Sequence, residues 1–265
     1  MAFGFSDRLT AKTVLATFAA TGTKAPKPLL DAWERLERIT RAVQDLAPPL
    51  GALPVAVFAA VDRGDDPAVD GEVRRILAQQ AIAHDGIRND VPAIAYDLLR
   101  ETARTHTDKI VATWRTPFDR AAAVLAEVLA QLGDVDLDDT TAIITKGGDA
   151  AESWGKAQTA IATVEAIRAG WLALATFTSG RAADKRHAVL AIADVGHADW
   201  ERLALVDQKP DPWEATRQRL PLSLPTPAEF AQRVARLQHA QQAEADRQEK
   251  AARDHALGRR TSILQ

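Results

Sequence analysis

The sequence predicts an all-α protein: a multi-helix bundle, a proline-rich hinge and a long, polar C-terminal helix. Three observations carry that prediction. Helix-start patterns recur, in which a capping residue precedes proline or stands three positions before an acid. Glycines follow periodic apolar runs, at Gly22, Gly86, Gly133, Gly180, Gly196 and Gly258, where a left-handed residue closes a last turn. Strand signals are thin, because Thr140 to Thr145 is the one β-branched run of any length and a single short segment makes no sheet. Together these signals outline about eight to ten helices.

Taken in order, the first helix follows Ser6-Asp7, which reads as an ordinary cap. Arg8 and Lys12 before the apolar stretch Thr13 to Ala20 imitate a secretory signal, but Asp7 and three threonines argue against one. Between Pro28 and Leu46, the residues Leu29, Trp33, Leu36, Ile39, Val43 and Leu46 form one stripe at spacings of three and four, the pattern of a core-facing helix. Arg63-Gly64-Asp65 reads as a surface turn, and Asp66-Pro67 as the next helix start. Val91 to Leu132 reads as two helices joined at Thr116-Pro117, since a residue before proline is pushed out of the α region. A kink or corner is expected there. Asp149-Ala150-Ala151-Glu152 starts another helix, whose stripe runs through Trp154, Ile161, Val164, Ile167, Trp171, Leu174 and Phe177 to Ser179.

Proline then interrupts the chain. Pro210, Pro212, Pro221, Pro225 and Pro227 each remove a backbone donor and fix φ, so no helix or central strand runs through the segment. The expected organisation is a helical body over 1–206, a proline-rich linker over 207–225, and a terminal polar helix with a basic tip over 226–265. Within the break, Asp211-Pro212-Trp213-Glu214 repeats the helix-start pattern. Thr226-Pro227-Ala228-Glu229 is a capping box with proline at the first helical position. From there to Leu257 the chain is nearly all Ala, Gln, Arg, Glu, Asp and Lys, a rod of roughly 45 Å that ends at Gly258.

Composition limits the function classes. A chain of 265 residues with net charge -3 presents no global field for nucleic acid or an anionic membrane. Cysteine is absent, which removes disulfides, thiol nucleophiles and thiolate zinc sites, and a cytoplasmic location is expected. No unbroken run approaches the ~18 apolar residues of a membrane span; the densest, Ala169 to Phe177, reads as a buried helix face.

Candidate chemistry is sparse. His84-Asp85 is the adjacent pair found at the metal core of HD-type phosphohydrolases, but His84 is the first histidine in the chain and that family needs one upstream; the pair reads as a polar helix end. Asp134, Asp136, Asp138 and Asp139 place acids at near-alternate positions, yet Asp139 and Thr145 stand where a calcium loop needs glycine and glutamate, so the segment reads as an inter-helix loop. His187, Asp194, His197 and Asp199 match no zinc spacing. His106, Asp108 and Tyr96 read as sharing one helix, with His106 and Asp108 two apart and not facing each other. Lys146-Gly147-Gly148-Asp149 lacks the phosphate-loop pattern and reads as a flexible turn. No cofactor and no metal is expected.

This build favours an interaction protein over an enzyme. Phe230, Val234 and Leu237 lie on one face at i, i+4 and i+7, so the first turns of the terminal helix can dock, while beyond Leu237 only alanine is available for burial. The expected partner-binding residues are Phe230, Arg233, Val234, Arg236 and Leu237, with Arg259 and Arg260 at the tip, engaging a protein partner or a second copy through a coiled-coil-like seam. Such a build is used by scaffolding and accessory proteins of phage or mobile elements, an analogy of architecture only. The alternative is a helical nucleic-acid-binding protein that meets phosphates through Lys185, Arg186, Arg259 and Arg260. Arg74-Arg75 and the cluster Arg181, Lys185, Arg186 are interleaved with acids and read as solvated faces.

Overall fold

The structure, a computed structural model, describes residues 5–45, 48–84, 87–179, 185–205 and 211–262. Among them it is all-α, with eleven α-helices and one 3₁₀ segment in place of the eight to ten expected, and its β structure is a single isolated bridge. The helices are α1 (Phe5–Ala20), α2 (Lys27–Asp45), α3 (Ala52–Asp62), α4 (Gly71–His84), α5 (Ile87–Thr105), α6 (Thr107–Leu132), α7 (Thr140–Thr145), α8 (Gly148–Ser179), α9 (His197–Leu205), α10 (Pro212–Arg217) and α11 (Pro227–Ser262). The 3₁₀ segment, Lys185–Ala191, precedes α9. The chain divides into two compact units, one of Met1–Lys12 with Ala25–His106 and one of Thr13–Lys24 with Thr107–Gln265.

In the first unit α2 packs along α5. The α2 stripe buries Leu29, Leu36, Thr40 and Val43, with Trp33 and Ile39 half-buried and Leu46 outside the described residues. From α5 come Ala95, Tyr96, Leu99 and Ala103. Arg8 grips Glu37 through both carboxylate oxygens at 2.7 and 2.8 Å. A second hairpin joins α3 to α4, where Ala56 and Ala60 meet Val73 and Ile76. Its turn is well specified: Gly64 takes φ +78°, Asp66 accepts the Ala68 N–H, and Asp70 caps α4 by accepting from Glu72 and Val73 N–H groups at 2.9 Å. Asp66-Pro67 therefore forms the preceding turn, and the helix starts four residues later.

In the second unit α6 and α8 form the central antiparallel pair, with the Ser153 hydroxyl near the start of α8 meeting Gln131 near the end of α6. Ile110, Val111, Trp114, Phe118, Ala121, Leu125, Val128 and Leu132 make one buried stripe on α6, which remains helical through Pro117. The corner expected at Thr116-Pro117 is thus absent, and the chain breaks instead at His106. Proline in a helix costs about 3 kcal/mol, and continuous burial of Trp114 and Phe118 on either side offsets it. The same break puts Tyr96 on α5 and Asp108 on α6, so the two do not share a helix as expected. Other starts shift by a few residues: α1 is already helical at Phe5, α8 begins at Gly148 with Asp149 in its first turn, and Gly196 precedes α9 instead of closing a helix. Gly22 and Gly133 do close α1 and α6, at φ +64° and +73°. Thr140 to Thr145 is helical because Asp139 accepts the Ala142 N–H at 2.9 Å as its cap, and Ile143 turns into the core.

Helix α8 has an 18-residue window of mean hydropathy 1.3, long and apolar enough by composition to cross a bilayer although no unbroken apolar run does. Val164, Ile167, Trp171, Leu174 and Phe177 on it are buried within the unit, as in a core helix. One point on α8 sets the closest approach. A Cβ on Gly170 would lie 2.1 Å from the hydroxyl of Thr17 on α1, and that hydroxyl donates to Thr13 O and Ala166 O. Gly170→Ala is expected to destabilise the protein by about 1–3 kcal/mol through overpacking. Gly155→Ala, on the same helix with open space around it, is expected to stabilise by about 0.5–1 kcal/mol. Urea denaturation of the two variants checks the opposite signs.

Candidate protein interface

The described part of the proline-rich segment is built into the second unit. Asp211 accepts the Trp213 N–H at 2.9 Å and Pro212 takes the first helical position, so the short α10 starts as its sequence predicts. Trp213 is buried and donates its indole N–H to Val135 O at 3.0 Å, while Arg217 pairs with Asp134. Arg219, left-handed at φ 57°, ends the helix, and Leu220 N–H returns to Ala215 O. The chain then runs extended: Leu222 bridges Ala193, Ser223 N–H donates to Ile192 O at 2.8 Å, and Pro225 O accepts the Trp171 indole N–H at 2.8 Å. Residues 206–210 lie outside the described residues, Pro210 among them.

Helix α11 begins on the expected capping box. Thr226 N–H donates to Glu229 Oε2 at 2.6 Å and Glu229 N–H to Thr226 Oγ1 at 3.2 Å. The Thr226 N–H bond to its carboxylate first, then the Thr226 hydroxyl and the Arg115 and Arg233 guanidiniums, hold the Glu229 carboxyl below its ordinary pKa. Phe230 packs against Trp171 with ring centroids 4.5 Å apart and the planes tilted by 50°. Val234 and Leu237 pack against Val189, Leu190, Ala193 and Val195 in the segment after α8. Arg233 is buried, and its guanidinium donates to Leu190 O at 2.9 Å, Ser223 O at 3.2 Å and Ser223 Oγ at 2.7 Å. Burial pulls its pKa below the usual guanidinium value, against the opposing pull of Asp194 and Glu229. Arg236, one turn on, is exposed and takes Asp194 through both oxygens at 2.7 and 2.9 Å. All five residues expected to contact a partner here, Phe230, Arg233, Val234, Arg236 and Leu237, are engaged within the chain. The six-residue buried run Ala188–Ala193 that receives Val234 and Leu237 carries no helical period to mark it in the sequence.

Beyond the anchor the helix leaves the core. Ala240, Gln241, Ala243 and Glu244 are half-buried, and every residue from Ala245 to Arg253 is exposed. Pairs along its own length sustain this part: Gln242 to Asp246, Glu244 with Arg247, and Glu249 with Arg253. The helix runs through Gly258 to Ser262, past the stop expected there, because glycine costs only about 1 kcal/mol in a helix and does not forbid it. The side chains of Arg259, Arg260 and Lys185 lie outside the described residues. Arg186 is exposed on the 3₁₀ segment, with its carbonyl accepting the Trp200 indole N–H. That segment meets α11 at Arg233, and Arg260 is about 40 Å further along the helix at 1.5 Å per residue, so Arg186 and the tip do not converge on one patch.

Most acids with ligand-like spacing make structural contacts, while the buried His197 Nδ1 has no hydrogen-bond partner among the described residues. Asp134 pairs with Arg217, Asp136 turns its own loop by accepting Asp138 N–H, and Asp139 caps α7. Asp194, His197 and Asp199 face Arg236, Glu201 and Arg202 respectively. Lys146 donates to Leu132 O at 2.8 Å, closing the end of α6. Among the described residues no three His, Asp or Glu side chains gather to hold a metal ion. His84 closes α4, and its side chain and Asp85 lie outside the described residues. A groove of about 480 Å³ is lined, among the described residues, by α2, through Trp33, Glu37, Arg38 and Arg41 among others. Another, of about 360 Å³, lies between α6 and residues 216–222 and is mostly apolar.

Arg233→Ala leaves the buried Leu190 carbonyl and the half-buried Ser223 carbonyl without this donor and is expected to cost about 2–4 kcal/mol, whereas Arg236→Ala is expected to cost under about 1 kcal/mol; paired urea melts measure the difference. Because the native pKa of Glu229 is depressed, its contribution to stability is fully present above the unfolded value and is lost as pH falls through the native one. Glu229→Gln is therefore expected to flatten the acid limb of the melting temperature against pH, measured between about pH 2 and 6. Compared with known proteins, no family model, no curated protein and no solved structure matches the chain.

Proposed function

We propose that the chain is a non-enzymatic, cytoplasmic assembly or adaptor protein that acts through protein contacts of α11. The observation supporting this reading is the division of that helix. Its first turns are bound into the core by Phe230, Arg233, Val234 and Leu237, while Ala245 to Arg253 continue with no contact to bury them. Thirty-six residues of helix span about 54 Å, far more than its own unit uses. A helix kept on propensity and charge pairs alone contributes little to folding; its alanine seam at Ala240, Ala243 and Ala251 fits a second helix laid against it. Scaffolding proteins of phage and mobile elements use such extensions, and the analogy extends no further than architecture.

Hydrogen exchange on the full chain tests this. In dilute solution the amides of 245–253 are expected to exchange orders of magnitude faster than those of 230–237, and to gain protection when an assembly forms. Equal protection of both stretches in the dilute chain, or none gained at 245–253 in an assembled state, would overturn the reading.

A further inference from the structure

The outer face of α3 is apolar and open. Val55, Phe58 and Val61 are 69%, 73% and 59% exposed, and Leu50 just before the helix is fully exposed. Their spacing of three puts them on one stripe, opposite the Ala56 and Ala60 that meet α4. The surroundings discriminate between occupants. Helix α3 carries no lysine or arginine and ends on Asp62, and the turn after it holds Asp65, Asp66 and Asp70, with Arg63 already taken by Asp65 and Asp70 and Arg74 donating to Ala68 O. Such an acidic border repels an anionic bilayer or a phosphate backbone.

The stripe is also symmetric in size about its centre, since Val55 stands three residues before Phe58 and Val61 three residues after. An antiparallel copy related by a two-fold axis at Phe58 sets ring on ring and each Val55 on Val61 of the other chain. The ends complement each other as well. Asp62 is the one charge on α3 and has no ion-pair partner among the described residues. In that arrangement it comes level with Pro54 in the first turn of the other copy, at the positive end of a helix whose N-cap, Gly51, supplies no side-chain bond. We propose that this face is a homodimer interface, α3 packed antiparallel on α3 of a second copy. Two helices of about 16 Å, extended by Leu50 at each end, bury on the order of 1,000 Å², the lower bound for a specific pair. The dimer is independent of the role given to α11.

Sedimentation velocity on the full chain, over about 1–100 µM, tests the proposal by reading the monomer–dimer equilibrium. Phe58→Asp is expected to raise the dissociation constant by about 100-fold or more with circular dichroism unchanged, because it places two like charges at the apolar centre. Val55→Glu and Val61→Lys chains, each weakened alone, are expected to dimerise more tightly when mixed, since the antiparallel register brings the two new charges together. A wild-type chain that stays monomeric throughout, a dimer that survives Phe58→Asp with native dichroism, or a mixture no tighter than its components would overturn the proposal. If Phe58→Asp fails to fold, the mixing experiment decides by itself.

Discussion

The bond from the Trp171 indole to Pro225 O ties the second unit together. Trp171 sits on α8 one residue from Gly170, so a single turn of that helix receives α1 on one side and the proline segment on the other. Its ring also takes Phe230, which makes it the first anchor of α11. Pro225 has no N–H to offer, but its carbonyl remains an acceptor that must be satisfied when buried, and the indole supplies the donor. The capping box, the Arg233 bonds and the docked stripe all follow from where that carbonyl is held.

Indole-to-carbonyl bonds recur through the same unit and do the work that strands would do elsewhere. Trp154 and Trp213 donate to Leu137 O and Val135 O in the loop between α6 and α7, and Trp200 to Arg186 O in the 3₁₀ segment. Each joins a large apolar surface to one directed polar contact, so it buries area and fixes irregular backbone at once. Arg233 does the same with a charged head, bridging Leu190 O to Ser223. Non-helical segments are thereby fastened to helices without a sheet.

Local chemistry was legible in the sequence and tertiary choice was not. The caps at Asp211 and Thr226 could be read because their donors and acceptors lie within three residues of one another. The all-α class followed from the same grammar, and the docking stripe at Phe230, Val234 and Leu237 from its spacing of four and three. Pro117 misled because the burial that overrides its penalty comes from partners on α1 and α8, distant in sequence. Arg233 and Arg236 look alike as letters, three apart on one helix. Only the position of Leu190 and Ser223 makes one a buried tie and the other a surface pair. The open face of α3 hid for the opposite reason, since a helix that is apolar on all sides up to Asp62 shows no polar face to mark where solvent lies.

The anchor of α11 also sets a phase. Each residue advances a helix by about 100°, so with Leu237 fixed in its pocket the azimuth of every later side chain is determined, out to Arg253. Length between anchor and outer turns is therefore as consequential as composition. One residue added after Leu237 would leave both ends chemically intact and turn the outer face by more than a quarter of a circle, away from whatever it was aimed at.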